Sequence, residues 1–284
     1  MSTMDLLQVA KVCQSEEEAF HFLFQKRRDL YGVSCPECKS SEYYLMHPGR
    51  LRCKACKRDY HPFSGTLLNE LRISYSTWLW LVKLFELEVS ARKARFQLDI
   101  SYPTTLKGFD TLRRGILYNL SLSDELLKGE IEADESYFGG RRKGKRGRGA
   151  GHKTIVFGIL ERGGKVSVSI VPNASAEALM TETVKKVRRG SIVYTDKWIG
   201  YDSLMFCGYK HLNVDHRYKF KLGKVYINGV EGFWSFAKER LIKHHGISKE
   251  KFPIYIKEME WRYNHKEEDL FDLLVTYLLG AVSL

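Results

Sequence analysis

Three acidic residues, far apart in the chain, have the types and settings that phosphoryl-transfer chemistry requires. Asp134 lies in the apolar-bounded run IEADESYF, and Asp196 ends another, SIVYTD. Glu231 follows 35 positions after Asp196, inside the helical pattern INGVEGFWSFAKERL. Hard divalent ions such as Mg2+ prefer oxygen ligands, and two of them ~3.5–4 Å apart stabilise both the attacking and the leaving oxygen of a phosphodiester exchange. Strand ends on one sheet and one facing helix are a rigid way to bring such carboxylates together. Lys238 lies seven residues beyond Glu231, two turns along on the same helix face, where an ammonium would meet phosphate. Asn228, one turn before Glu231, is open to three readings: ligand, helix cap or neither. Two other acids compete with Asp134, because Glu132 shares its strand face by alternation and Glu135 is adjacent.

A second group of residues suits a softer metal. Cys35-Pro-Glu-Cys38 and Cys53-Lys-Ala-Cys56 form two C-x2-C pairs separated by fourteen residues. Each pair can present two thiolates to one ion, and four such ligands close a tetrahedral zinc site of the structural kind. Paired cysteines of this type belong to a reducing compartment rather than to a disulfide framework. His47 and His61 are possible replacement ligands that nothing requires, and the isolated Cys13 and Cys207 read as core residues. Arg50, Arg52, Lys54, Lys57 and Arg58 crowd the second half of this ribbon, which favours a phosphate partner.

Two further basic segments point the same way. The run from Glu88 to Leu106 fits a helix-turn-helix, with Ser90 as a cap, Asp99-Ile100-Ser101 as the turn, and Tyr102–Arg114 as the second helix. Thr104, Thr105 and Lys107 would then meet a major groove. Between Gly139 and Gly151, glycines alternate with Arg141, Arg142, Lys143, Lys145, Arg146 and Arg148, a tract able to clamp backbone phosphates beside Asp134's strand. Trp198, Tyr201, Phe233 and Trp234 read as packing residues.

The elements that must position these groups follow from periodicity. An amphipathic helix is expected over 5–30, a buried helix over 74–87, and shorter ones near 90–98 and 103–120. After the polar stretch SLSDELLKGE the texture becomes α/β, with strands at 131–138, 154–160, 166–171 and 191–195 and helices at 175–189, 229–242 and 252–264. ERGGK between the second and third strands is a hairpin signal. The expected organisation is a helical segment at 1–30, a zinc ribbon at 31–66, a helix-turn-helix region at 67–122 and a catalytic domain at 128–275. With 44% hydrophobic and 13% aromatic residues the chain can bury real cores, which excludes wholesale disorder. Its 46 Lys+Arg against 34 Asp+Glu, a formal charge of +12, favour nucleic acid over an acidic membrane surface. Neither an export signal nor a spanning segment is legible, so the expected setting is cytoplasmic, at the prokaryotic nucleoid.

The chain resembles the DDE-type insertion-sequence transposases that carry an N-terminal zinc ribbon, the ISXO-like family. The resemblance spans about residues 15–270. It rests on the ribbon, Ser64-Gly65-Thr66, Asp134-Glu135-Ser136-Tyr137-Phe138-Gly139-Gly140, Tyr194-Thr195-Asp196, and Asn228-Gly229-Val230-Glu231-Gly232-Phe233-Trp234-Ser235 with Lys238. It implies an α/β, RNase H-like catalytic domain with a mixed five-stranded sheet, and Asp134 and Asp196 as ligands of two Mg2+ or Mn2+ ions. The family's third position falls on Asn228 or Glu231, of which the charged Glu231 is favoured. The implied partners are double-stranded DNA, both element ends and target, and further copies of the chain in a dimer or larger assembly. The alternatives are an RNase H-like nuclease or resolvase that cuts without joining, and a zinc-ribbon regulator with a silent catalytic domain.

Overall fold

Serine and aspartate side chains start the helices of the N-terminal half. Asp5 accepts from Gln8 N at the head of α1 (Leu6–Val12) and Ser15 from Glu18 N before α2 (Glu16–Tyr31). Ser74, Ser90 and Ser101 do the same for α3 (Tyr75–Glu86), α4 (Ala91–Leu98) and α5 (Tyr102–Ser121). Each cap satisfies a first-turn amide that the helix cannot satisfy itself. The cap at Ser15 also divides the single helix expected over 5–30 into two. The computed structural model describes residues 4–46, 49–139, 153–196, 207–214, 226–244 and 246–280.

Two compact units make up the chain: Met1–Leu122 together with His265–Leu284, and Ser123–Asn264. In the first, β1 (Tyr43–Met46), β2 (Arg50–Cys53) and β3 (Asp59–Tyr60) form an antiparallel three-stranded sheet. The last helix, α9 (Leu270–Leu279), packs against α2, α3 and α5. It buries Phe271, Leu274, Val275, Leu278 and Leu279 there. Within the helix-turn-helix, Asp99 adopts the left-handed conformation at φ 50°, which turns the chain from α4 into α5.

The second unit is built on a five-stranded sheet. Its strands are β4 (Glu130–Phe138), β5 (Thr154–Glu161), β6 (Val166–Val171), β7 (Ile192–Asp196) and β8 (Lys210–Val214), in the order β6-β5-β4-β7-β8. The β4–β5 and β5–β6 pairs are antiparallel, and β4–β7 and β7–β8 are parallel. That order and mixture is the RNase H-like arrangement. Both faces are covered. Ile131, Ala133, Phe157, Ile159 and Val193 pack with Leu179 of α6 (Ala176–Lys186), while Val156, Leu160 and Tyr194 pack with Val230, Phe233 and Met259 of α7 (Asn228–Leu241) and α8 (Phe252–Asn264). Burial on both sides is why the central part of β5, IVFGIL, reads as a continuous apolar run. Among the described residues, no helix is long and apolar enough to cross a membrane.

Candidate functional site

The sheet brings two of the three acids level. Parallel pairing of β4 with β7 runs through Glu130↔Ile192, Ile131↔Val193 and Glu132↔Tyr194. Two residues further along each strand in that register stand Asp134 and Asp196. The backbone of Asp196 ends β7 opposite Val214, and its side chain lies outside the described residues. An open cleft of about 370 Å³ is lined by Asp134, Glu135, Trp234, Glu231 and Lys238 among others, so α7 delivers its carboxylate and ammonium to the strand that carries Asp134. The seven-residue spacing of Glu231 and Lys238 does put both on one face. Asn228 is exposed and is not among the residues lining that cleft.

A tryptophan aligns the first acid. The indole Nε1 of Trp234 donates to Asp134 Oδ2 at 3.0 Å. The ring reaches it by crossing the sheet at Gly158, the β5 residue paired with Asp134. A Cβ at Gly158 would stand 2.5 Å from Trp234 Cζ2, so only glycine leaves room for the indole. Trp234 is therefore more than the packing residue expected from the sequence, whereas Phe233 is fully buried packing.

Glu132, the sequence rival of Asp134, is occupied elsewhere. Its side chain is 1% exposed. Oε2 accepts from Gly229 N at 2.7 Å and Val230 N at 3.0 Å, and Oε1 accepts from Arg162 Nε at 2.9 Å. Arg162 also donates to Glu130 Oε2 at 2.9 Å and to the carbonyl of Tyr226 at 2.6 Å. Its guanidinium carbon lies 3.9 Å from the ring centroids of both Tyr194 and Tyr226. Burial disfavours the Arg162 charge, but the hydrogen bonds to Glu130 and Glu132 outweigh it and the pKa is raised. Burial, with Glu130 adding to it, pushes the Tyr194 phenol up. The sequence presented Arg162 only as part of a hairpin turn, and nothing in its local pattern marked this role.

The four ribbon cysteines converge as their spacing predicts. All four sulfurs lie within 4.8 Å of one another. Cys35 and Cys56 Sγ are 3.6 Å apart and Cys38 and Cys53 Sγ 3.4 Å. A zinc tetrahedron with Zn–S near ~2.3 Å has edges of ~3.8 Å, so the donor set fits that ion. The two turns share one construction. Lys39 N bonds Cys35 O at 3.0 Å and Cys35 N bonds Ser40 O at 2.9 Å, matched by Lys57 N to Cys53 O at 3.1 Å and Cys53 N to Arg58 O at 2.9 Å. Lys39 and Lys57 take φ of 61° and 62°, left-handed conformations that non-glycine residues seldom adopt. The Cys56 backbone N–H holds the Cys53 thiol down to about 6 against burial, and that of Cys38 lowers Cys35 likewise. At Cys56 the Arg58 N–H is outweighed by burial and the neighbouring sulfurs, which push the thiol up to about 11. Thiolate character at neutral pH is what zinc requires. Of the surrounding cations, Arg52 pairs with Asp59 at 2.6 Å, Lys54 with Glu42 at 4.0 Å, and Arg58 with Glu37. A phosphate arriving at these three would compete with carboxylates already in place.

In the helix-turn-helix, Lys107 is exposed and Thr104 half-buried, but Thr105 is fully buried. Its hydroxyl donates to Ser101 O at 3.0 Å, so this residue faces inward and serves the helix start instead of a groove. Phe96 was not singled out by the sequence. It is 69% exposed, with the Arg95 guanidinium 4.4 Å from its ring centroid. The basic tract of Arg141, Arg142, Lys143, Lys145, Arg146 and Arg148 lies outside the described residues, as do His47, Trp198 and Tyr201.

The chain is similar in sequence to known proteins. Residues 126–264 match the ISXO2-like transposase domain and residues 14–59 the transposase zinc-ribbon domain. An uncharacterized transposase-like protein of Haemophilus influenzae is 42% identical over 103 residues, 36% of this chain and 84% of that protein. An uncharacterized protein in transposable element ISH50 of Halobacterium salinarum is 28% identical over 279 residues, 89% of this chain and 92% of that one. Among solved structures, the Mos1 strand transfer complex is similar at TM-score 0.29 and 11% identity, covering 72% of this chain and 74% of that chain. With the sheet order described above and both domains matched in sequence, the chain belongs to the ISXO2-like transposase family.

Proposed function

We propose that this transposase binds the terminal inverted repeats of its own element, hydrolyses a phosphodiester at the element's end and joins the freed 3′-hydroxyl to target DNA. The observation that carries the reading is the shared cleft of Asp134, Glu231 and Lys238, with Asp196 level with Asp134 on the neighbouring strand. Carboxylate oxygens alone form the donor set, which fits hard divalent cations. Two Mg2+ or Mn2+ ions, when bound, supply Lewis-acid stabilisation of the entering and leaving oxygens and a nucleophile at neutral pH. Asp134, Asp196 and Glu231 hold those ions. Lys238 meets the phosphate charge beside them, and Trp234 keeps the Asp134 carboxylate in one orientation. The helix-turn-helix, through Thr104 and Lys107, and the tract at 141–148 supply phosphate and groove contacts. Joining two ends requires both in one complex, so the working assembly is a dimer or larger.

The test is nicking and strand transfer on a duplex carrying the element's end, with Mg2+, using wild type, Asp196→Asn and Glu231→Gln. Wild type cutting and joining, with both variants binding but inactive, supports the reading. Cutting without joining would make the protein a nuclease or resolvase. Binding without cutting in any divalent metal would make it a regulator.

A further inference from the structure

Helix α7 differs from the helices capped by their own serines. Its N-cap is Ile227, which makes no side-chain cap bond. A helix start leaves its first amides without partners, and here the Glu132 carboxylate on β4 takes two of them, Gly229 N and Val230 N. Val230 immediately precedes Glu231. Glu132 stands two residues before Asp134 on the same strand face, so one strand carries both an acid of the cleft and the anchor for the helix that brings the other. The anchor is itself fixed. Arg162 holds Glu132 and Glu130 on β4, lies between the rings of Tyr194 on β7 and Tyr226, and bonds the Tyr226 carbonyl. Gly229 is part of the same fit, since a Cβ there would stand 2.8 Å from Glu132 Oε2.

We propose that Glu132, braced by Arg162, is the positioning residue of the cleft: it locks the first turn of α7 to β4 and so fixes Glu231 against Asp134 at the spacing that a pair of divalent cations requires. It acts through Glu231, since both oxygens of its buried carboxylate are already engaged by Arg162, Gly229 and Val230. The inference rests on the reading of Asp134 and Glu231 as metal ligands.

The experiment uses the full chain with Glu132→Gln and Gly229→Ala. The first removes the charge from the anchor, and the second pushes the same contact apart from the helix side. Three quantities are measured: hydrogen exchange of the 227–232 amides, Mn2+ binding to the DNA-free protein by electron paramagnetic resonance, and the metal dependence of nicking. Loss of a charge-assisted bond of this kind corresponds to about 10- to 100-fold in an equilibrium. Both variants are expected to exchange faster at 229–230, bind Mn2+ about 10-fold or more weakly, and need correspondingly more Mg2+ for half-maximal nicking, with DNA binding retained. Folded variants with wild-type metal dependence overturn the proposal. So does failure of both variants to fold, which would assign Glu132 to stability and not to placement. A fully active Glu231→Gln protein would instead sink the underlying assignment of ligands, and that control keeps the two failures apart.

Discussion

The indole nitrogen of Trp234 donates to Asp134 Oδ2 across 3.0 Å, so a residue of the helix reaches over the sheet to hold a carboxylate of the strand. Trp234→Phe keeps the ring packing against Phe138 and Phe233 and removes the N–H. A hydrogen bond to a charged group is worth about 1.5–3 kcal/mol, so single-turnover nicking is expected to slow by about 10-fold or more with DNA affinity unchanged. An unaltered rate would mean that Asp134 is aligned without the indole.

Gly158→Ala attacks the same contact from the opposite strand. The new methyl would sit 2.5 Å from Trp234 Cζ2, and overpacking of this kind costs about 1–3 kcal/mol. Both a lower melting temperature and the Trp234→Phe nicking defect are expected. Wild-type activity in a destabilised protein would separate packing from alignment.

Within the helix-turn-helix the burial pattern divides two residues that the sequence grouped. Lys107→Ala is expected to weaken DNA binding across sequences and reduce the salt slope of log K by about 1. Thr105→Val leaves binding and its salt slope intact and costs about 1 kcal/mol of stability through the lost bond to Ser101 O. Fluorescence anisotropy across a salt series, with thermal melts, reads both.

Zinc removal should act locally. Chelation, or Cys38→Ser, is expected to expose the amides of Cys35, Lys39, Cys53 and Lys57 to exchange, because the two left-handed turns lose the ion that compensates them. The amides of β4 and β5 should keep their protection. A global loss of protection would tie the stability of the second unit to the metal.

His61 links the ribbon's end to α3, with Nε2 2.9 Å from the Tyr75 hydroxyl. Burial, assisted by Arg50, lowers its pKa below the ordinary 6.5. The unfolded chain therefore binds the extra proton first. The stabilisation from neutral His61 is present above pH 6.5 and is lost as pH falls through the folded-state value. Between pH 7.5 and 5.5 the melting temperature of wild type is expected to fall more than that of His61→Gln, and equal falls would show that this histidine does not govern the acid sensitivity.

Much of the architecture is written in local signals. Ser90 marks a helix start and ERGGK marks the β5–β6 hairpin, because caps and two-glycine turns are short-range chemistry, although the cap at Ser15 lay hidden inside one apparent helix over 5–30. The two C-x2-C pairs likewise announce the cysteine cluster, since each pair is one turn. What escaped is long-range. Strand alternation puts Glu132 and Asp134 on one face, but it cannot tell a carboxylate that ends on helix amides from one that lines a cleft, for the amides lie 97 and 98 residues away. Arg162 was hidden for the same reason: its partners are on β4, on β7 and at Tyr226. Thr105 was misjudged because a helix-turn-helix pattern fixes a register only to within one face, and its inner face includes that residue.

The chain leaves its first unit at Leu122 and re-enters it at His265. During synthesis the apolar surfaces of α2, α3 and α5 that α9 covers stay bare while the intervening residues are made, an interval on the order of 10 s at ordinary ribosomal rates. The unit that bears the ribbon is thus begun first and completed last, after the whole five-stranded sheet has emerged.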